Sequence, residues 1–90
     1  MLKVLEDLIK TIRDRKNTPI DGSYTNKLLK DKNLSLAKVK EEMSELYEAV
    51  EKNTNKIHES ADVIYHLLVY LEANNIKVEE VIEELKKRKK

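Results

Sequence analysis

At 90 residues the chain holds one small domain at most, residues 1–90, and a core of that size is marginal without a partner. It has no Cys, which excludes disulfides and thiolate metal sites, and its single Gly and single Pro point away from a turn-rich β-sandwich. Charged residues make up 39%, with 18 basic against 17 acidic for a net charge of +1, so the footprint of a general nucleic-acid binder is missing. Leu, Ile, Val, Ala, Lys and Glu dominate, a helix-forming composition.

Leu2, Leu5, Leu8, Ile9 and Ile12 recur at helical spacing and predict a first helix over Leu2 to Arg15. Pro19 and Gly22 then punctuate the one obvious loop, Asn17 to Ser23. A short second helix is expected over Tyr24 to Lys30, ending near Asp31 to Asn33. The third starts near Ser35 as N-cap, carries the stripe Leu36, Val39, Met43, Leu46 and Val50 with Tyr47 beside it, and stops at Asn53 to Asn55. The fourth covers Lys56 to Ala73. Between Ala61 and Leu71 only Asp62 and His66 are not apolar, and a helix apolar nearly all round belongs in the middle of a packed structure. Asn74-Asn75 suits a left-handed C-cap. The last helix, Val78 to Arg88, is expected to bury Val78, Val81, Ile82 and Leu85, with its acids first and its basic tail last. The fold class is therefore all-α, with four to five helices. No apolar run approaches the roughly 18 residues of a membrane span. The acids in the amphipathic N-terminus argue against a signal peptide, so a cytoplasmic protein is expected.

Two acidic clusters stand out. Glu42 and Glu45 lie on one flank of the third helix at i,i+3, with Glu41 further round and Lys38 on the same flank. Alone, that triplet also describes a solvated acidic face. Glu59 and Asp62 repeat the i,i+3 spacing on the fourth helix, where Asp62 interrupts an apolar run and a buried carboxylate is costly unless paired or bound to metal. A short turn between the helices makes them antiparallel neighbours, so four carboxylates can converge on one point. All-oxygen ligation suits a hard cation, Mg²⁺ or Mn²⁺, which in turn binds phosphate oxygens and activates water. His66 reads as a satisfied core histidine. A basic group, Arg13, Arg15 and Lys16 with Ser23, Thr25 and Lys27 across the loop, offers what phosphates need, although Arg and Lys at a helix C-terminus are also ordinary capping.

The order Arg15-Lys16, Pro19, Gly22-Ser-Tyr-Thr25, Lys27-Leu-Leu29, then Lys38-Val-x-Glu-Glu-x-x-Glu45, then Glu59-x-Ala-Asp-Val-x-Tyr-His-Leu-Leu-Val-x-Leu71, resembles phosphoribosyl-ATP pyrophosphohydrolases of histidine biosynthesis. Its paired acidic motifs are similar to those of the wider MazG-type all-α nucleotide pyrophosphohydrolases. The resemblance covers nearly the whole chain. It implies a Mg²⁺-dependent helical bundle, completed as a homodimer or larger assembly, that splits phosphoribosyl-ATP into phosphoribosyl-AMP and pyrophosphate. It places the metal on Glu42, Glu45, Glu59 and Asp62, with Glu42 also catalytic and Glu41 orienting water. Arg13, Arg15, Lys16, Ser23, Thr25, Lys27 and Lys38 are its expected substrate contacts. Lys40 stands where relatives commonly have Gly, and the segment 30–37 is one residue shorter than usual. The competing reading is a house-cleaning pyrophosphatase of dUTP, dCTP or damaged nucleotides, and beyond it a non-enzymatic helical interaction module. The nucleotide is the expected small-molecule partner, with neither nucleic acid nor membrane.

Overall fold

The structure, a computed structural model, describes residues 2–89, which form five helices: α1 (Lys3–Asn17), α2 (Tyr24–Lys30), α3 (Lys32–Lys52), α4 (Lys56–Ala73) and α5 (Val78–Lys87). It is all-α, as the composition implied. None of the helices is long and apolar enough to cross a membrane.

Helix α1 runs two residues past the expected Arg15, and its last turn closes on the Thr18 N–H donating to the Asp14 carbonyl at 2.7 Å. Pro19 prevents continuation. Gly22, at φ 80°, turns the chain back in a conformation that costs other residues dearly. Ser23 then caps α2 by accepting from the Asn26 N–H at 3.2 Å. Buried Asn26 fixes the loop from inside: its Oδ1 accepts from the Ile20 N–H at 2.9 Å and its Nδ2 donates to the Arg15 carbonyl at 2.7 Å.

Helix α3 begins at Lys32, three residues before the expected Ser35 cap. Asp31 does the capping, its Oδ1 accepting from the Leu34 N–H at 3.0 Å, while the same residue closes α2. A carboxylate at that position satisfies an orphan N–H and complements the helix dipole, so it wins over a serine one turn later. Ser35 is instead buried within the first turn. Within the short 30–37 segment, Asp31 alone is thus the joint between two helices.

Asn53 (φ 56°) and Asn55 (φ 45°) both take the left-handed conformation, and α3 and α4 fold back on each other as a hairpin. Helix α4 is the axis of the molecule and packs against every other helix. At its end it is Asn75, not Asn74, that turns left-handed, at φ 59°. The buried centre is Ile12, Leu28 and Val69, with Leu8, Leu29, Leu34, Tyr65 and Leu68 packed around it.

Much of the expected apolar surface stays uncovered by this chain. Ile82 and Leu85 on α5 are exposed, and only Val78 and Val81 are partly covered. On α3, Val50 and Tyr47 are exposed, as are Ile57, Ile64 and Leu67 on α4. The cause is geometric: α5 meets only the end of α4 and the side of α1, so its outer stripe has no neighbour. The radius of gyration is 14.1 Å, against about 12 Å for a compact 90-residue domain. The chain exposes 6992 Å², where a folded monomer of this mass exposes roughly 5,500 Å².

Helix α5 is held by charge more than by packing. The Arg13 guanidinium forks onto both carboxylate oxygens of Glu79, and Glu72 lies 3.8 Å from its Nε. Lys16 donates to the Glu72 carbonyl at 2.9 Å and to Asn75 Oδ1 at 2.5 Å. The hydrogen bonds from Arg13 hold the Glu79 carboxyl at about 2, well below the usual carboxylate range. A depressed folded-state value means this stabilisation is fully present above about pH 4.5 and drains away as pH falls through about 2. Glu79→Gln should therefore lower the melting temperature at pH 7, with the gap to the parent chain closing by pH 2. Because Glu79 is largely exposed, added salt should shrink the pH 7 gap as well. A gap that persists at pH 2 would mean that Glu79 acts by packing.

Candidate active site

The α3–α4 hairpin carries the acidic motifs to one place. Carboxylate oxygens of Glu42, Glu45 and Glu59 all lie within 4.8 Å of one another. The Oε2 atoms of Glu42 and Glu59 are buried and have no hydrogen-bond partner. Burial pushes the Glu42 carboxyl above its ordinary range, and Glu45 and then Asp62 push the same way. Glu59 is raised in the same manner, by desolvation first and then by Glu45 and Asp62. Four acids from two helices thus share one field. Asp62 is less buried than its place in an apolar run implied: its side chain is 37% exposed, and its Oδ2 lies 3.3 Å from His58 Nε2 rather than beside a lysine.

Glu41 and Lys38 sit at the edge of this centre as an ion pair of 3.1 Å, and Glu41 is the main reason the Lys38 ammonium holds its proton more tightly. Tyr24, from α2, completes the wall. Its phenol is raised by burial, with Lys38 opposing that shift and Tyr65, Glu42 and Glu41 adding to it. Behind it, His66 Nδ1 lies 2.8 Å from the Asp62 carbonyl, which can only accept, so Nδ1 carries the proton. His66 Nε2 lies 3.0 Å from the Tyr24 hydroxyl. Both ring nitrogens have a partner, the core role expected of it. Thr25 Oγ1 and the Tyr65 hydroxyl are 2.5 Å apart, and the Tyr24 and Tyr65 rings stack with centroids 6.4 Å apart. These contacts dock α2 onto the helix that carries Glu59 and Asp62.

The basic residues divide into separate groups. Arg13 and Lys16 are engaged with Glu72, Glu79 and Asn75 at the far end of α4. Ten residues of helix separate Glu72 from Asp62, about 15 Å. Ser23 is spent as the α2 cap and Thr25 faces Tyr65. Lys27 and Lys30 line an open groove of about 440 Å³ with Gly22 and Ser23. Arg15 is partly buried, and its guanidinium has no ion pair among the described residues.

The comparisons with known proteins agree with this geometry. The family described as phosphoribosyl-ATP pyrophosphohydrolase matches residues 5–89. The chain belongs to the phosphoribosyl-ATP pyrophosphohydrolase family. It is 46% identical to the phosphoribosyl-ATP pyrophosphatase of Bacillus cytotoxicus, over 98% of this chain and 85% of the relative. The corresponding protein of Clostridium acetobutylicum is 49% identical over 96% of this chain and 81% of its own length. The histidine biosynthesis bifunctional protein of Pyrococcus furiosus is 44% identical, with 99% of this chain matching 43% of that longer protein. Family membership makes the hydrolase reading of the acidic centre the leading one over the interaction-module reading.

Asn26, Tyr65 and His58 had no place in the sequence-derived site. The His58–Asp62 spacing of i,i+4 was visible in the chain. The pairing of Thr25 with Tyr65 spans 40 residues and leaves no periodic trace.

The raised carboxyls carry a sign that can be checked. An acid whose folded-state value lies above its unfolded one costs stability once both states ionise. At neutral pH and without divalent cations, Glu42→Gln should therefore raise the melting temperature. Adding Mg²⁺ should raise that of the parent chain and much less that of the variant. A variant that melts lower than the parent without metal would show that Glu42 is a net stabiliser.

Proposed function

We propose that this chain hydrolyses phosphoribosyl-ATP to phosphoribosyl-AMP and pyrophosphate, using Mg²⁺, or Mn²⁺ in its place, held by Glu42, Glu45, Glu59 and Asp62. The observation that carries the reading is the pair of buried, unpartnered oxygens on Glu42 and Glu59 within an all-oxygen donor set, in a member of this family. A divalent cation repays both the desolvation and the mutual repulsion of these acids. When bound, such a cation binds phosphate oxygens and makes water a better nucleophile at neutral pH.

The protein's own groups do the rest. Lys38 exchanges Glu41 for a phosphate oxygen, a cheap exchange because the pair is partly exposed. Glu41, freed from Lys38 at the edge of the centre, orients the attacking water and accepts its proton. Tyr24 walls the centre off, and its hydroxyl is held by His66, so its ring is fixed before substrate arrives. The ribose 5-phosphate end needs donors away from the acids. Lys27, in the groove beside Gly22 and Ser23, and Arg15, which has no ion pair among the described residues, are the candidates for it, whereas Arg13 clasps α5 through Glu79 and Lys16 holds the end of α4. Asp62→Asn and Glu42→Gln should each cut pyrophosphate release from phosphoribosyl-ATP by a thousandfold or more, on the order of an essential electrostatic group, while the helical circular-dichroism spectrum survives. Near-normal activity in either variant would sink the assignment. Faster release from dUTP or dCTP than from phosphoribosyl-ATP would put the house-cleaning reading ahead.

The working form is an assembly of at least two copies. The excess exposed area is of the size one subunit loses in a stable dimer, and Ile64, Leu67, Ile82 and Leu85 are among the exposed apolar residues. Sedimentation at micromolar concentration should give a dimer or larger species. A stable monomer there would overturn this part.

A further inference from the structure

The groove at the start of α2 and the acidic centre meet at one side chain, Tyr24. The groove, of about 440 Å³, is lined by Tyr24 together with Gly22, Ser23, Lys27 and Lys30, and it has the volume of a small-molecule site. Toward the acids, the Tyr24 hydroxyl lies 3.0 Å from His66 Nε2, and the other nitrogen of that ring lies 2.8 Å from the Asp62 carbonyl. Its neighbours hold the Tyr24 ring in place. Tyr65 stacks along it with centroids 6.4 Å and planes 21° apart, and His66 meets it edge-on at 5.8 Å. Yet Tyr24 remains 45% exposed. An aromatic ring fixed in this way loses little conformational freedom when a flat ligand settles on its open surface.

The other aromatic residues are placed less well. The chain has neither Phe nor Trp, and four Tyr. Tyr65 and Tyr70 are more covered than Tyr24. Tyr47 is exposed, but it follows Glu42 by five residues and so lies about 140° round α3 from it, on another flank.

We propose that the exposed surface of Tyr24 is the stacking platform for the substrate's nucleobase, the adenine of phosphoribosyl-ATP, and so decides which nucleotides bind well. This rests on the reading of the four acids as the triphosphate end of the site. Phosphoribosyl-ATP carries its second ribose phosphate on the adenine ring, so the base lies between the triphosphate and that phosphate. Tyr24 lies between the acids and the groove that holds Lys27, the candidate for the second phosphate. An uncharged base can sit beside the acidic field without adding to its repulsion, and stacking supplies affinity without any charge.

The test is steady-state kinetics of pyrophosphate release from phosphoribosyl-ATP by the parent chain, Tyr24→Leu and Tyr24→Phe, with inorganic pyrophosphate as a base-free inhibitor. Circular dichroism checks that both variants fold. Tyr24→Leu should raise KM about ten- to a hundredfold, the loss of one base–aromatic stack, with kcat within about threefold of the parent because the contact is made equally before and during reaction. Inhibition by pyrophosphate should stay within about twofold, since that ligand has no base to stack. Tyr24→Phe, which keeps the ring and loses only the link to His66, should recover most of the loss in KM. An unchanged KM in Tyr24→Leu overturns the proposal. So does pyrophosphate inhibition that weakens in step with KM, which would make Tyr24 a support for the acids, or a Tyr24→Phe as poor as Tyr24→Leu, which would assign the effect to the hydroxyl. A parent chain that releases pyrophosphate from dUTP and not from phosphoribosyl-ATP would overturn the proposed function instead; an unchanged KM for dUTP in Tyr24→Leu would then overturn the stacking role as well.

Discussion

Helix α4 must satisfy two opposed demands, and the rest of the structure follows from how it does so. It packs against all four other helices, which requires an apolar surface on several sides. It also presents Glu59 and Asp62 to Glu42 and Glu45, which places like charges close together in a partly dehydrated space. The α3–α4 packing is what holds the acids against their repulsion, and the acids are what the packing exists to position.

The aromatic wall on α2 serves the same end. Asp62 is fixed from behind: its backbone carbonyl accepts from His66, and His66 in turn pairs with the Tyr24 hydroxyl. The Thr25–Tyr65 contact repeats the link one residue along both helices. The loop before α2 is made rigid by Asn26, whose amide satisfies two backbone groups that would otherwise be buried unpaired. The result is a stiff frame around a strained acidic centre, the arrangement expected where stability is traded for binding.

The opposite face is unfinished. Helix α5 hangs from an Arg13–Glu79 fork and a few contacts, with its apolar stripe facing out. An exposed apolar face of this kind is the sort that another surface covers. The charged clasp sets the angle of α5 and leaves its apolar stripe facing outward.

Local signals determined a good deal. The periodicity of Leu5, Leu8, Ile9 and Ile12, the punctuation by Pro19 and Gly22, and the asparagines at Asn53 to Asn55 and Asn75 fixed five helices almost to their ends, because these effects act within one turn of chain. The mirrored i,i+3 acids of α3 and α4 were legible for the same reason, and a three-residue turn between the helices leaves little choice but to bring them together. The start of α3 was misplaced because Asp31 and Ser35 are both good caps, and only the closeness of α2 decides between them. Burial on α5 was misread because periodicity names an apolar face without saying what covers it. The fate of the basic residues was not legible at all. Arg13 and Lys16 look like phosphate ligands in the chain, but the fold turns them toward Glu72 and Glu79, more than fifty residues away in sequence. Which charge meets which across that distance is settled by how the helices pack, and that is a property of the tertiary structure alone.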